Sequence, residues 1–375
     1  MSFYLRAGDL VRVIAPSMSM SIISEEVRKR AIAVFENDLG LRISFGRHVD
    51  EDQGTLRIAP LTSRLEDFHE AFADTEVKAI FTCIGGFSSN DLLSWIDWDL
   101  VNKNPKIFCG FSDITALSMA IYTKTGMRVL SGPRFSSLGM KEGLDYTIDY
   151  LKKVLFGCTP ILLAPANHFS DDAWYLPSCT KRTFHDNSNG NLPLRSGKAS
   201  GIAIGGNISV LSLIYPEYLV PIPTTISEYL IPIPSTIPEY LPSVSISSSI
   251  PEYLPSVSSN QTQDWILFLE DDSLVKGAFR YVFRQLLVKL LSYAPLASNL
   301  GAIIIGRCCV ASEMTDDAFE AMLKDVHLPK RNDVDIPIVI NASFGHTTPI
   351  FTIPIGSTIT IDANVTPAVI TIHDY

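Results

Sequence analysis

Four short stretches of this sequence carry residues able to do chemistry, and each follows an apolar run. The first is Gly110-Phe111-Ser112-Asp113, directly after Lys106 to Cys109 and before a helix-patterned stretch, Ile114 to Lys124. A serine at a sharp strand-to-helix turn stands clear of the backbone, where the helix N-terminal N–H groups favour negative charge on a nearby oxygen. This is the layout of a nucleophile elbow, with Ile114 where G-x-S-x-G has its second glycine. The same serine also fits a plain helix cap that ends the strand and starts the helix.

The second stretch is Gly85-Gly86-Phe87-Ser88-Ser89-Asn90. Paired glycines let backbone N–H groups approach a substrate, as an oxyanion hole requires; they could equally cradle a phosphate or make a turn. No G-x-G-x-x-G follows, so a dinucleotide site is poorly supported. The third is Glu270-Asp271-Asp272, after the run Trp265 to Leu269. Its carboxylates could orient an imidazole, hold a divalent cation, or simply be a solvated strand end. The fourth is Gly345-His346-Thr347-Thr348-Pro349, after Ile336 to Ala342. The other histidines lack such a setting: His69 lies in an amphipathic helix, Ser63 to Ala73, and His373 is almost terminal. His48, His168, His185 and His327 sit in polar surroundings.

The elements that must position these groups alternate. Leu10 to Ala15, Val77 to Ile84 and Lys106 to Cys109 are strand-like, and Ser24 to Asn37 is helix-patterned with Ser24 as its N-cap. Short strands alternating with helices predict a parallel sheet covered on both faces, with ligands at the carboxyl ends of its strands. A polar stretch from His168 to Lys198 reads as a connection. Beyond it come strand-like runs at Gly201 to Ile204, Trp265 to Leu269, Ala302 to Ile305 and Ile336 to Ala342, with a helical pattern at Thr315 to Lys324. The closing Ile350 to Ile372, rich in Ile, Thr and Val, reads as antiparallel strands. The expected division is an N-terminal α/β unit at 1–165, a connection at 166–198, and a C-terminal unit at 199–375. Inside the last, about 216–263 repeats Glu-Tyr-Leu four times among Pro, Ile and Ser; the proline density predicts an extended, partly disordered insertion.

Composition narrows the function. The 375 residues are 46% hydrophobic and 19% charged, which is globular, and a net charge of -10 excludes a nucleic-acid polymer as partner. No stretch of some 18 apolar residues free of Pro and charge suggests a membrane span. The first 20 residues lack the uninterrupted apolar core of a secretory signal. The six cysteines form no CxxC pair and resemble neither a disulfide framework nor a zinc site, and Cys308 and Cys309 read as buried thiols. A cytoplasmic location fits.

Taken in order, the Ile-Gly-Gly loop, Gly-x-Ser-Asp-Ile-Thr, Leu-Glu-Asp and Gly-His-x-x-Pro resemble the LD-carboxypeptidase family of serine peptidases, which includes the microcin C self-immunity peptidases. Supporting matches are Gly8-Asp9, Ala15-Pro16-Ser17, Gly201 to Asn207, and Ile353-Pro354-Ile355-Gly356. The resemblance spans nearly all of the chain except the repeats. It implies a Rossmann-like N-terminal domain joined to a smaller β-rich C-terminal domain, with the active site at their interface. It also implies a Ser112–His346–Glu270 triad, with backbone N–H groups of Gly86 and Asp113 as the oxyanion hole, and chemistry that needs no metal or organic cofactor. The form Ile84-Gly85-Gly86-x-Ser88-Ser89-Asn90 looks closer to the microcin-immunity branch. Asp171-Asp172-Ala173-Trp174-Tyr175 resembles the branch that stacks an aromatic ring on a nucleotide-like group, which makes Trp174 a substrate-binding candidate. The implied substrate is a small peptide or peptidyl-nucleotide amide. The alternatives are the terminal D-alanine of a murein tetrapeptide, or an inactive relative that only binds a small ligand. The family tends toward homodimers.

Overall fold

The computed structural model describes residues 4–175, 179, 181–221, 264–270, 279–324, 326–331 and 333–374. Five short strands make a parallel sheet: β1 Leu10–Ile14, β2 Arg42–Phe45, β3 Val77–Thr82, β4 Ile107–Gly110 and β5 Val129–Ser131. Their order is β2-β1-β3-β4-β5, so the strand order reverses between β1 and β3. In such sheets the crevice at the reversal point is where ligands collect. All of β4 and nearly all of β3 are buried, which is why these strands are continuous apolar runs rather than alternating ones.

Helices pack against the strands of this sheet. Glu25–Ala33 begins at Ser24, whose hydroxyl accepts from the Val27 N–H. The helix Thr115–Thr125 is buried on almost every side, as its apolar sequence requires, and ends at Gly126 in the left-handed conformation.

The second sheet is mixed. Lys198–Asn207, Trp265–Glu270, Leu300–Gly306 and Ile338–Ala342 run parallel in that spatial order. Thr358–Asp362, Val369–Asp374 and Ile161–Leu162 continue it antiparallel on one side, and Leu192–Arg195 on the other. The architecture is therefore α/β with a parallel N-terminal sheet and a β-rich C-terminal region.

Four sequence expectations change. The polar stretch 168–198 is not a bare connection: it holds a small hairpin, His168–Phe169 with His185–Asp186, and the edge strand Leu192–Arg195. Ile353–Ile355 pairs with β5 and so extends the first sheet, not the second. Cys308 and Cys309 are partly exposed, because the strand ends at Gly306. The start of the proline-rich segment is packed, with Tyr218, Leu219 and Val220 buried and Glu217 paired with Lys124 at 3.3 Å; residues 222–263 lie outside the described residues. Among the described residues, no helix is long and apolar enough to cross a membrane.

Candidate active site

Ser112, Gly86, Glu270 and His346 all stand just beyond or at the carboxyl ends of strands, and the fold brings those ends together. Ser112 follows β4 and has φ 66°, in the left-handed region that a serine rarely occupies. Tight packing beneath it enforces the bend: a Cβ on Gly110 would lie 2.4 Å from Thr82 Oγ1 and 2.8 Å from Ile114 Cγ2. Gly110 must therefore be glycine, while Ile114 fills the space below the turn. The helix-cap alternative is settled by the same geometry. Neither the 3-10 turn Ser112–Ile114 nor the helix Thr115–Thr125 takes a side-chain cap, and the Ser112 hydroxyl turns to His346 instead.

His346 Nε2 lies 2.9 Å from Ser112 Oγ, and Nδ1 lies 2.6 Å from Glu270 Oε2. An ionised carboxylate only accepts, so Nδ1 carries the proton and Nε2 is left to accept from the serine. Glu270 is 4% exposed and its Oε1 has no partner among the described residues, so its charge is directed at the imidazole. Gly345 (φ 100°) passes so close to Glu270 that a Cβ would sit 3.0 Å from the Glu270 Cβ. The imidazole also rests against Phe111, with ring centroids 5.1 Å apart.

The loop after β3 is locked to the serine turn. The Asp113 carboxylate accepts from the Ser88 and Ser89 N–H groups at 3.1 and 2.9 Å, and Ser89 Oγ donates to the Asp113 carbonyl at 2.7 Å. Gly86 (φ 151°), in this loop after β3, packs against the loop after β1, where a Cβ would meet Ser17 Oγ at 2.3 Å. Underneath, the guanidinium of Arg64 donates to the carbonyls of Pro16 and Ser88 at 3.0 and 2.9 Å and to Ser88 Oγ at 3.2 Å. Burial pulls the Arg64 pKa down, and the Asp91 and Asp113 carboxylates oppose that shift. Sequence reading missed Arg64, because a cation inside an amphipathic helix ordinarily faces water.

Trp174 is half-buried, on an arm tied to the His346 segment. Its backbone N–H donates to the Asp172 carbonyl, and Ser170 and Thr348 exchange backbone hydrogen bonds at 2.8 and 2.9 Å. Its ring meets Tyr175 edge-on at 5.8 Å. Of the acidic pair after Glu270, Asp271 and Asp272 lie outside the described residues. Among the described residues, no group of three His, Cys, Asp or Glu side chains could hold a metal ion.

Two family models match this chain: the LD-carboxypeptidase N-terminal domain over residues 11–132 and the LD-carboxypeptidase C-terminal domain over residues 246–361. The chain belongs to the LD-carboxypeptidase family. It is thus a hydrolase of the serine carboxypeptidase type. The Bacillus subtilis protein YocD, named as a carboxypeptidase, is 36% identical over 359 residues, covering 96% of this chain and 95% of its own length. A second Bacillus subtilis relative, named as a murein peptide carboxypeptidase, is 32% identical over 208 residues, covering 56% of this chain and 57% of its own. A crystal structure of an MccF-like protein from Bacillus anthracis superimposes with a TM-score of 0.81 at 37% identity, covering 99% of this chain and 98% of that one. The microcin C7 self-immunity protein MccF, solved in complex with aspartyl sulfamoyl adenosine, gives 0.76 at 22% identity over 99% and 98%, a likeness of fold.

Proposed function

We propose that Ser112, His346 and Glu270 form the catalytic triad of an amide hydrolase acting through an acyl-enzyme. The observation that carries this reading is the continuous relay from Ser112 Oγ through both ring nitrogens of His346 to Glu270, at 2.9 and 2.6 Å. His346 Nε2 takes the hydroxyl proton as Ser112 Oγ attacks the carbonyl carbon. Glu270 fixes the tautomer and stabilises the imidazolium, which then gives its proton to the leaving nitrogen. Water, deprotonated by the same imidazole, releases the acyl group. The backbone N–H groups of Gly86 and Asp113 are the proposed oxyanion donors; the Ser88–Asp113 and Ser89–Asp113 bonds hold their two segments in fixed relation. Such a donor is worth about 3 kcal/mol in the transition state.

The substrate we propose is a small peptide or peptidyl-nucleotide amide, with Trp174 stacking on a base. The aminoacyl-sulfamoyl nucleoside bound by MccF supports that class. The second reading, release of the terminal D-alanine of a murein tetrapeptide, is favoured by the murein-peptide relative. A cytoplasmic homodimer, divided at 165 and 198, completes the proposal, and the free thiols fit a reducing compartment.

The test is product analysis by mass spectrometry on a murein tetrapeptide and a peptidyl-nucleotide, beside labelling by a fluorophosphonate. Cleavage of either substrate, with label on Ser112 that Ser112→Ala removes, is the expected result. A protein that cleaves neither and takes no label is not the enzyme proposed.

A further inference from the structure

Three neighbouring strands end beside one another in the order β3, β4, β5, and each is followed by a chemically equipped turn. After β3 comes Gly85-Gly86, after β4 comes Ser112, and after β5 comes Gly132-Pro133-Arg134. The last of these has no role in the triad, and it places a cation at the site. A Cβ built on Gly85 would lie 2.8 Å from Arg134 Nη1 and 3.4 Å from Ser112 Oγ, so both atoms face one small space. Those two legs, 2.8 and 3.4 Å, bound the Nη1 to Oγ separation at 6.2 Å. Only glycine at position 85 leaves that space open.

Arg134 is also held in place. Its guanidinium carbon lies 4.2 Å from the centroid of the Phe111 ring, and the same ring lies 5.1 Å from the His346 imidazole. A guanidinium seated on an aromatic face is restrained by cation–π attraction while its N–H edges stay directed outward. Such an edge pairs with a carboxylate or another planar anion through two hydrogen bonds.

We infer that Arg134 is the specificity-determining residue that receives an anionic group one residue beyond the attacked carbonyl, foremost the free carboxylate of the amino acid being released. This rests on the hydrolase reading above. One residue advances the chain by about 3.3–3.6 Å. A terminal carboxylate therefore falls within hydrogen-bonding reach of Nη1 when Ser112 Oγ is at the preceding carbonyl. The cation thus favours cleavage of the last residue over an internal bond. The phosphoryl or sulfamoyl group of an aminoacyl nucleotide would present the same anionic chemistry at a comparable distance.

The test compares wild type, Arg134→Met and Arg134→Lys on a murein tetrapeptide ending in D-alanine, its C-terminal carboxamide, and an aminoacyl-sulfamoyl adenosine. Wild type is expected to favour the free acid over the carboxamide by about 10- to 100-fold in kcat/KM, the range of a charge-assisted hydrogen bond. Arg134→Met is expected to erase that preference, chiefly through KM, and Arg134→Lys to restore part of it. If the sulfamoyl nucleoside alone loses binding in Arg134→Met, the anion received is the nucleotide's and the carboxylate assignment is overturned. Equal cleavage of acid and carboxamide by wild type, or an equal loss on both in Arg134→Met, also overturns it. Calorimetric binding of acid and carboxamide to Ser112→Ala needs no turnover. Equal affinities there overturn the inference even if the hydrolase reading stands, and a preference for the acid supports it even if no cleavage is found. Thermal melts of the two Arg134 variants separate lost recognition from lost folding.

Discussion

The backbone N–H of Asn207 donates to Thr115 Oγ1 at 3.0 Å, joining the helix that follows Ser112 to the strand beside Glu270. Asn207 is the residue opposite Glu270 in the parallel ladder. The approach is close enough that a Cβ on Gly206 would lie 2.5 Å from Thr115 Oγ1. One buried hydrogen bond therefore crosses the seam between the two sheets. It ties the helix that follows Ser112 to the residue paired with Glu270, the two groups that the His346 ring spans.

Thr115→Val is expected to test that seam. The valine keeps the shape but leaves a buried N–H without its acceptor, at a cost of about 1–3 kcal/mol. Denaturant melts should show the loss, and kcat should fall as the relay loosens. Thr115→Ser keeps the hydroxyl and should restore most of both; a Thr115→Val variant with wild-type kcat would contradict this account.

The left-handed backbone at Ser112 gives a second prediction. An L-residue there costs on the order of 1 kcal/mol, which glycine escapes. Ser112→Gly and Ser112→Ala both lose the nucleophile and its bond to His346, so comparing them isolates the backbone. The glycine variant should be the more stable by about 1 kcal/mol in denaturant melts, and both should be inactive.

Glu270→Gln should keep the contact with His346 and lose the chemistry. A glutamine amide that donates to Nδ1 forces the proton onto Nε2, which then cannot accept from Ser112. A loss of about 10⁴ in kcat is expected from the wrong tautomer, with KM little changed. A variant retaining a tenth of wild-type kcat would remove Glu270 from the proposed triad.

The sequence signals that announced Ser112, Glu270 and His346 are local: each residue lies within one short turn of the end of an apolar run, so its place at a strand end can be read from its neighbours. Arg134 escaped such reading because Val129–Ser131 is too short to show periodicity, and because its value depends on β5 lying beside β4. Ile353–Ile355 was legible as a strand but not as part of the first sheet, since its partner β5 lies over 200 residues earlier. Thr115 and Asn207 looked like a helix start and a strand end; only the packed seam makes them partners. The Glu-Tyr-Leu segment illustrates the opposite limit. Its prolines suggested a bare extended loop, yet Tyr218 and Leu219 are buried and Lys124 lies 5.0 Å from the Tyr218 ring centroid.

Trp174 should matter to one substrate class and not the other. Base–aromatic stacking is worth about 1–3 kcal/mol per base, so Trp174→Ala is expected to raise KM for a peptidyl-nucleotide by roughly 5- to 100-fold. Hydrolysis of a murein tetrapeptide, which offers no base, should change little. An equal rise for both substrates would make Trp174 a support for the arm that carries Ser170 and Thr348.

Arg64 should act on rate more than on affinity. Its guanidinium holds the carbonyls of Pro16, Ala59 and Ser88 from beneath the Gly86 loop, and the residue is 5% exposed. Arg64→Met leaves those carbonyls unpaired and is expected to cost about 3 kcal/mol of stability. The loop it supports carries a proposed oxyanion donor, which is used when charge develops on the attacked oxygen rather than when substrate binds. The expected signature is therefore a drop in kcat of about 10- to 100-fold with KM within twofold of wild type. Arg64→Lys supplies one charged donor group in place of a planar fork, so it should recover part of the stability and less of the rate. Steady-state kinetics on both variants, at a temperature where melts show them folded, decides the point. A rise in KM with kcat unchanged would move Arg64 from supporting the oxyanion loop to shaping the binding cleft.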